Sequence, residues 1–239
     1  MKKMARGVLF FYAVSVLIMI ISCTKELTIE DMGFEKSFNL AMKKYNEADY
    51  ISAVSDFNVI LLNYGGEQGI DQAQFLLAKS HFELEEFYSA SYEFVRLTER
   101  FPESEFVEEA YFMDAECFKN LSPRYALDQE ETHKAISKYQ TYLDLYPKGK
   151  FSGESATSIS ELREKLARKE FEAGVLYLKL DQPRAAKIYF GEIINNYYDT
   201  SYYSESLKNI AQAYLEMKDE YRYLEFMSKY NELNSPEKK

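Results

Sequence analysis

Apolar residues recur along this chain at helical spacing. Phe34, Phe38, Ala41 and Tyr45 fall on one face of a helix, and Ala53, Phe57, Ile60 and Tyr64 on one face of the next. Glu47-Ala48-Asp49 lies between them and reads as a turn, as do Glu85-Glu86 and Asp181-Gln182-Pro183 further on. The pattern then repeats. A small residue is followed four positions later by an aromatic and seven further on by another: Ala53/Phe57/Tyr64, Ala90/Phe94/Phe101, Ala135/Tyr139/Tyr146 and Ala186/Phe190/Tyr197. The helix upstream carries a small residue after an apolar one, at Leu40-Ala41, Leu77-Ala78, Ala173-Gly174 and, in a fading fifth unit, Ile210-Ala211.

Such a period of helix–turn–helix units, with small residues where two helices meet, resembles the tetratricopeptide repeat over about residues 34–232. The expected fold is an all-α solenoid of about five helix pairs. The first two copies are 37 residues apart, but 45 separate Ala90 from Ala135 and 51 separate Ala135 from Ala186. The first excess falls in Asn120 to Glu130; after the second, Glu154 to Leu180 reads as one long helix. Its charges are spaced to pair along the helix, Glu161 with Lys165 and Glu164 with Arg168, which suits an exposed connecting rod. That predicts an N-terminal lobe of repeats one to three (34–153) and a second lobe of the long helix with repeats four and five (154–232), then a polar tail at 233–239. The aromatic stripes are expected to be mostly core.

The N-terminus has a different character. Lys2, Lys3 and Arg6 precede an apolar run from Gly7 to Ile21, too short for a spanning helix. Ile20-Ile21-Ser22-Cys23 then resembles the bacterial lipobox. The resemblance implies a signal peptide at 1–22, acyl chains on Cys23 and a tether at 23–33; Thr24, where Asp would resemble an inner-membrane retention signal, favours the outer membrane. Acyl chains hold a protein on a membrane through buried methylenes alone. They would have to, because removing residues 1–22 takes the formal charge from −10 to −13. A charge of that sign also excludes nucleic acid as a partner.

Composition supports helices and removes other readings. Nine Gly and five Pro in 239 residues are too few for a turn-rich sandwich or barrel. There are two Cys, so no disulfide framework, and with Cys23 acylated Cys117 is left as a buried structural thiol. His81 and His133, the only histidines, lack further ligands at metal spacing, and His81 falls where a packed side chain is expected. Acid pairs Glu85-Glu86 and Glu108-Glu109 read as solvated helix surfaces. No phosphate loop, nucleophile elbow or HExxH occurs, so a non-enzyme without cofactors or metal is expected.

The insertion Ser122 to Gln129, the following helix ending at Tyr146-Pro147, and the segment Leu166-Ala167-Arg168-Lys169-Glu170 resemble the BamD family. These are tetratricopeptide lipoproteins of the machinery that assembles outer-membrane β-barrels. The resemblance implies an adaptor on the periplasmic face of the outer membrane. Its C-terminal lobe would bind a POTRA-containing barrel subunit, and its N-terminal lobe would receive unfolded outer-membrane proteins through an extended C-terminal signal. A groove lined by Tyr50, Phe87, Tyr88 and Tyr92 could stack on such a signal, although core packing competes for each ring. Arg124, Asp128 and Gln129 either fix their loop by hydrogen bonds or meet a partner; Arg184 and Lys187 are further partner candidates. The basic residues common in the family are thinner here. The alternative is another repeat lipoprotein of the cell envelope, acting in Tol-Pal coordination, amidase regulation or glycan uptake; the absence of Trp counts against the last. The lipid is directly testable: the chain should incorporate labelled palmitate in cells, and Cys23→Ala should abolish incorporation.

Overall fold

The computed structural model describes residues 32–235. Cys23, the signal-peptide segment, most of the tether and the end of the polar tail lie outside the described residues. Within them the chain forms ten helices and no strand: α1 (Phe34–Asn46), α2 (Tyr50–Asn63), α3 (Ile70–Glu83), α4 (Phe87–Arg100), α5 (Val107–Leu121), α6 (Glu130–Leu145), α7 (Ser152–Lys179), α8 (Pro183–Asn196), α9 (Tyr202–Glu216) and α10 (Glu220–Leu233). Consecutive helices pack against one another from α1 to α10, giving a tetratricopeptide-type solenoid of five helix pairs.

The repeat seen in the sequence is the repeat seen in the packing. Ala53, Ala90, Ala135 and Ala186 are completely buried, as are Phe57, Phe94, Tyr139 and Phe190 one turn later. The third member of each set, Tyr64, Phe101, Tyr146 or Tyr197, terminates its helix with φ near −130°. Each donates its backbone N–H to the carbonyl four residues back, at 2.8–2.9 Å. The turns within pairs repeat as well. Ala48, Glu85, Asp181 and Lys218 all adopt positive φ, between 56° and 62°. At each, two N–H groups fold back onto the last carbonyls of the preceding helix, the Schellman arrangement. Glycine would fill these positions without strain, yet none of the four is glycine.

The third pair lacks that turn and carries the insertion instead. Its first helix, α5, also hides its small residue from the sequence pattern. Ala115 occupies the position of Ala41 and Ala78, fully buried, but it follows Asp114 rather than an apolar residue. Asp114 is itself buried, accepting from Ser91 Oγ at 2.6 Å and pairing with Lys138 at 2.7 Å. A satisfied polar contact across the pair does there what an apolar side chain does elsewhere.

The long helix is present over 28 residues but is no exposed rod. It packs against α6, α8 and α9, burying Leu162, Leu166, Ala167 and Gly174. The two expected pairings along it do not form, because all four charges reach to other elements. Glu161 meets Lys119 at 3.2 Å, and Lys165 donates to Ser122 Oγ and, at 3.1 Å, to the Pro123 carbonyl. Glu164 accepts from Ser201 N and Oγ at 2.6 and 2.8 Å, holding the start of α9. Arg168 lies 4.2 Å from the Tyr125 ring centroid. Beside it, Lys169 donates to the Leu127 carbonyl at 2.9 Å. One basic stripe of α7 thus clamps the whole insertion. Arg163 grips the opposite side, donating to Asp199 and the Asn196 carbonyl, and holds the Asp199 carboxyl below the usual carboxylate range.

Four apolar clusters form the core, and Ile136 packs against both the third-repeat cluster and the C-terminal one. Within the helices the backbones come closest at Gly174, where a β-carbon would lie 2.7 Å from the Phe190 ring. Alanine is a better helix former than glycine by about 1 kcal/mol. Gly174→Ala should nevertheless lower stability in a urea melt by about 1–3 kcal/mol, because the ring is fixed on all sides.

Candidate functional site

The largest cavity described here, about 710 Å³, lies on the first helices of successive repeats. α3 contributes Phe82, α5 contributes Phe112, Met113, Glu116 and Lys119, and the start of α7 contributes Thr157 and Ser158, with Lys150 just before it. Phe82 and Lys119 each stand four residues after the buried alanine of their helix, Ala78 or Ala115. They are equivalent positions in neighbouring repeats, and this is how a solenoid lines up side chains from distant parts of its sequence.

Polar contacts fix the walls. Lys119 Nζ donates to Ser158 Oγ at 2.9 Å and pairs with Glu161. Glu116 accepts the hydroxyl of buried Tyr139, whose ionisation is pushed up by burial and by that carboxylate. The segment before α7 is tied down by a buried hydroxyl. Tyr142 donates to Glu108 at 2.8 Å and accepts the Phe151 N–H at 2.8 Å, while Glu108 also accepts the Lys150 N–H at 2.6 Å. Phe151 stacks on Phe112 with centroids 4.3 Å apart. Glu108 is therefore a structural acceptor rather than part of a solvated face; Glu109 pairs with Lys79 at 3.5 Å. The cavity combines apolar floor, both signs of charge and hydroxyls, a surface suited to holding an extended peptide.

None of the cavities described here is lined by the four rings expected to share a groove. Tyr50, Phe87, Tyr88 and Tyr92 all lie on second helices, and each has its own partner. Tyr50 packs edge-on against Tyr45, and Phe87 edge-on against Phe82, so Phe87 supports the cavity wall from behind. Tyr88, 57% exposed, donates to Glu131 at 2.9 Å. Tyr92, 62% exposed, faces the Arg96 guanidinium. Sequence spacing finds a helix face but cannot say which face of a pair turns toward the neighbouring first helices. The sequence hides the cavity residues because Ala115, the reference point for their register, breaks the apolar–small pattern.

Of the insertion residues, Asp128 and Gln129 fix the loop. Gln129, buried, donates to the carbonyls of Arg124 and Leu127 at 3.0 Å and accepts from Thr132 at 2.7 Å; Asp128 accepts the Glu130 N–H at 2.9 Å. Arg124 supplies its carbonyl to this set and exposes its side chain. Arg184 is exposed beside a cavity of about 470 Å³ at the α7–α8 turn, and Lys187 lies over the Tyr214 ring at 5.7 Å. The structure does not unite these two with the insertion residues in one cavity. Cys117 is fully buried, and burial pushes its thiol up, as befits an inert packing residue. His81 lies 2.6 Å from Glu86 and is mostly covered. Among the described residues no group of three or more His, Cys, Asp or Glu is placed to hold a metal, and no helix is long and apolar enough to cross a membrane.

Residues 30–225 match the family model YfiO, described as outer membrane lipoprotein. The chain belongs to the YfiO family. It is 27% identical over 203 residues to the outer membrane protein assembly factor BamD of Rickettsia prowazekii, covering 83% of this chain and 80% of that one. It is 21% identical over 189 residues to the BamD of Caulobacter vibrioides, covering 79% of this chain and 62% of that one. Among solved structures, a thermophilic tetratricopeptide-repeat protein of Thermus thermophilus aligns over 85% of this chain and 93% of its own, at 19% identity and a TM-score of 0.38. The repeat fold rests on the helices described above. Those helices make the cavity's construction testable: Tyr142→Phe removes one hydroxyl that satisfies both Glu108 and the Phe151 N–H. It should cost about 1–3 kcal/mol in a denaturant melt.

Proposed function

We propose that this chain is a lipid-anchored adaptor of the machinery that folds and inserts β-barrel proteins into the outer membrane. The observation that carries the reading is the family match across 30–225, which spans nine of the helices and reaches into α10. The relatives named as assembly factors match over most of this chain as well. This favours barrel assembly over Tol-Pal coordination, amidase regulation and glycan uptake. Acyl chains on Cys23 would hold the protein on the periplasmic face of the outer membrane, with no covalent or catalytic chemistry asked of the repeats.

In this reading the two ends of the solenoid do different work. The N-terminal repeats receive the extended C-terminal signal of an unfolded outer-membrane protein. The cavity on α3, α5 and α7 supports this, since Phe82, Phe112 and Met113 offer an apolar seat for the aromatics in which such signals are rich. Lys119 and Lys150 stand at its edge for carboxylates. The C-terminal repeats hold the POTRA-containing barrel subunit. Exposed Leu180, Leu224 and Tyr221 around α7 and α10 supply apolar area for such a contact. Deletion of 181–239 removes Tyr221 and Leu224 with α8 to α10.

Affinity capture of the tagged full chain from crosslinked, detergent-solubilised outer membranes tests the assignment. A POTRA-containing barrel protein should come down in near-equal amount, and should be lost when 181–239 are deleted. Recovery of peptidoglycan-linked or sugar-uptake proteins in its place would overturn the assembly role while leaving the repeats and the anchor untouched.

A further inference from the structure

A second cavity, of about 430 Å³, opens where the third repeat meets the fourth, between α6, α7 and α8. The rings of Tyr177, Tyr189 and Tyr197, the carboxylates of Glu170 and Glu192, and His133 face it. Ile188 stands at its rim, 67% exposed. Tyr177 and Tyr189 stack with centroids 5.2 Å apart and planes 11° from parallel, presenting a flat π surface. No Lys or Arg lines the cavity.

The two carboxylates make no ion pair. Glu192 accepts only from its own helix, from Asn196 Nδ2 at 2.7 Å. Glu170 is half-buried, and burial together with the nearby Glu192 pushes its carboxyl up. The neighbouring cations bond elsewhere: Lys169 donates to the Leu127 carbonyl although its charge still reaches Glu170, Lys187 lies over the Tyr214 ring, and Arg163 pairs with Asp199 and lies over the Tyr197 ring at 5.4 Å, which leaves the Tyr177–Tyr189 stack as the open aromatic face. Glu192 is exposed to solvent, but a half-buried acid such as Glu170 without an ion pair is costly, and the buried acids Asp56 and Asp114 have their lysine. The missing charge is positive, and the walls are aromatic.

We propose that this cavity receives an arginine side chain from a partner protein, its guanidinium bridging Glu170 and Glu192 against the tyrosine face. Guanidinium suits the walls better than a primary amine. It is planar, weakly hydrated, able to bond two carboxylates at once and stacks on aromatic rings. The exposed Ile188 at the rim would exclude water from the pair, as apolar surroundings do for arginine anchors at protein interfaces. The site goes beyond the assembly role, because it fixes the chemistry of a contact whichever protein supplies the arginine.

Titration of the full chain in detergent, with labelled tyrosine rings observed by NMR, tests it. Nα-acetyl-arginine amide should give saturable shifts of Tyr177, Tyr189 and Tyr197, and its neutral citrulline counterpart should give none. The double variant Glu170→Gln, Glu192→Gln should melt no earlier than the parent and bind the arginine probe about tenfold more weakly. Equal response to citrulline, undiminished binding by the double variant, or no saturable shift would overturn the proposal. Tighter binding of phosphoethanolamine than of the arginine probe would also overturn it, by assigning the cavity to a lipid amine.

Discussion

The helix pairs of this protein depend on close backbone approach at small residues. Ala41, Ala78, Ala115, Gly174 and Ala211 supply it on the first helices, and Ala53, Ala90, Ala135 and Ala186 on the second. Where a helix surface is that flat, the facing helix can advance until a large ring fills the space behind it, and Phe57, Phe94, Tyr139 and Phe190 do so without any exposed surface. The gain is dispersion and burial spread over many contacts. At Gly174 even one methyl group is too much. Since each pair packs only on its neighbours, this seam sets the stagger of the whole solenoid.

Where the period breaks, polar contacts take over from the seam. The third pair has no Schellman turn, and its insertion would be a loose loop if left to itself. Lys165, Arg168 and Lys169 of α7 hold it through Ser122, the Pro123 and Leu127 carbonyls and the Tyr125 ring. Arg163 and Glu164 of the same helix seize the α8–α9 connection. α7 is therefore long because it serves two repeats, packing in one and clasping both flanking loops. A buried hydroxyl plays the corresponding part at its start, where Tyr142 ties Glu108 to the Phe151 N–H.

These constraints also place the cavities on the solenoid's surface. The first helices align residues of equal register, so Phe82 and Lys119 come to one cavity from segments far apart in sequence. The junction of the third and fourth repeats creates another, with carboxylates the fold itself leaves without counter-ions.

The sequence by itself determined the helices, the turns within pairs and the aromatic core, because each follows from spacing along a single helix or from one small residue. Ala53 to Phe57 to Tyr64 is a local pattern, and all four copies of it end their helices in the same way. The resemblance of Ile20-Ile21-Ser22-Cys23 to a lipobox is equally local, although it lies outside the described residues. Only the tertiary structure decided which charges pair and which rings share a surface. Glu161 and Lys165 are ideally spaced for each other, yet Lys119 and Ser122 lie closer to where their ends point. Tyr50, Phe87, Tyr88 and Tyr92 all lie on second helices but turn to four different neighbours. The physical reason is range. Backbone and apolar patterns are satisfied within one or two turns, whereas a long polar side chain can reach any helix that packing brings beside it.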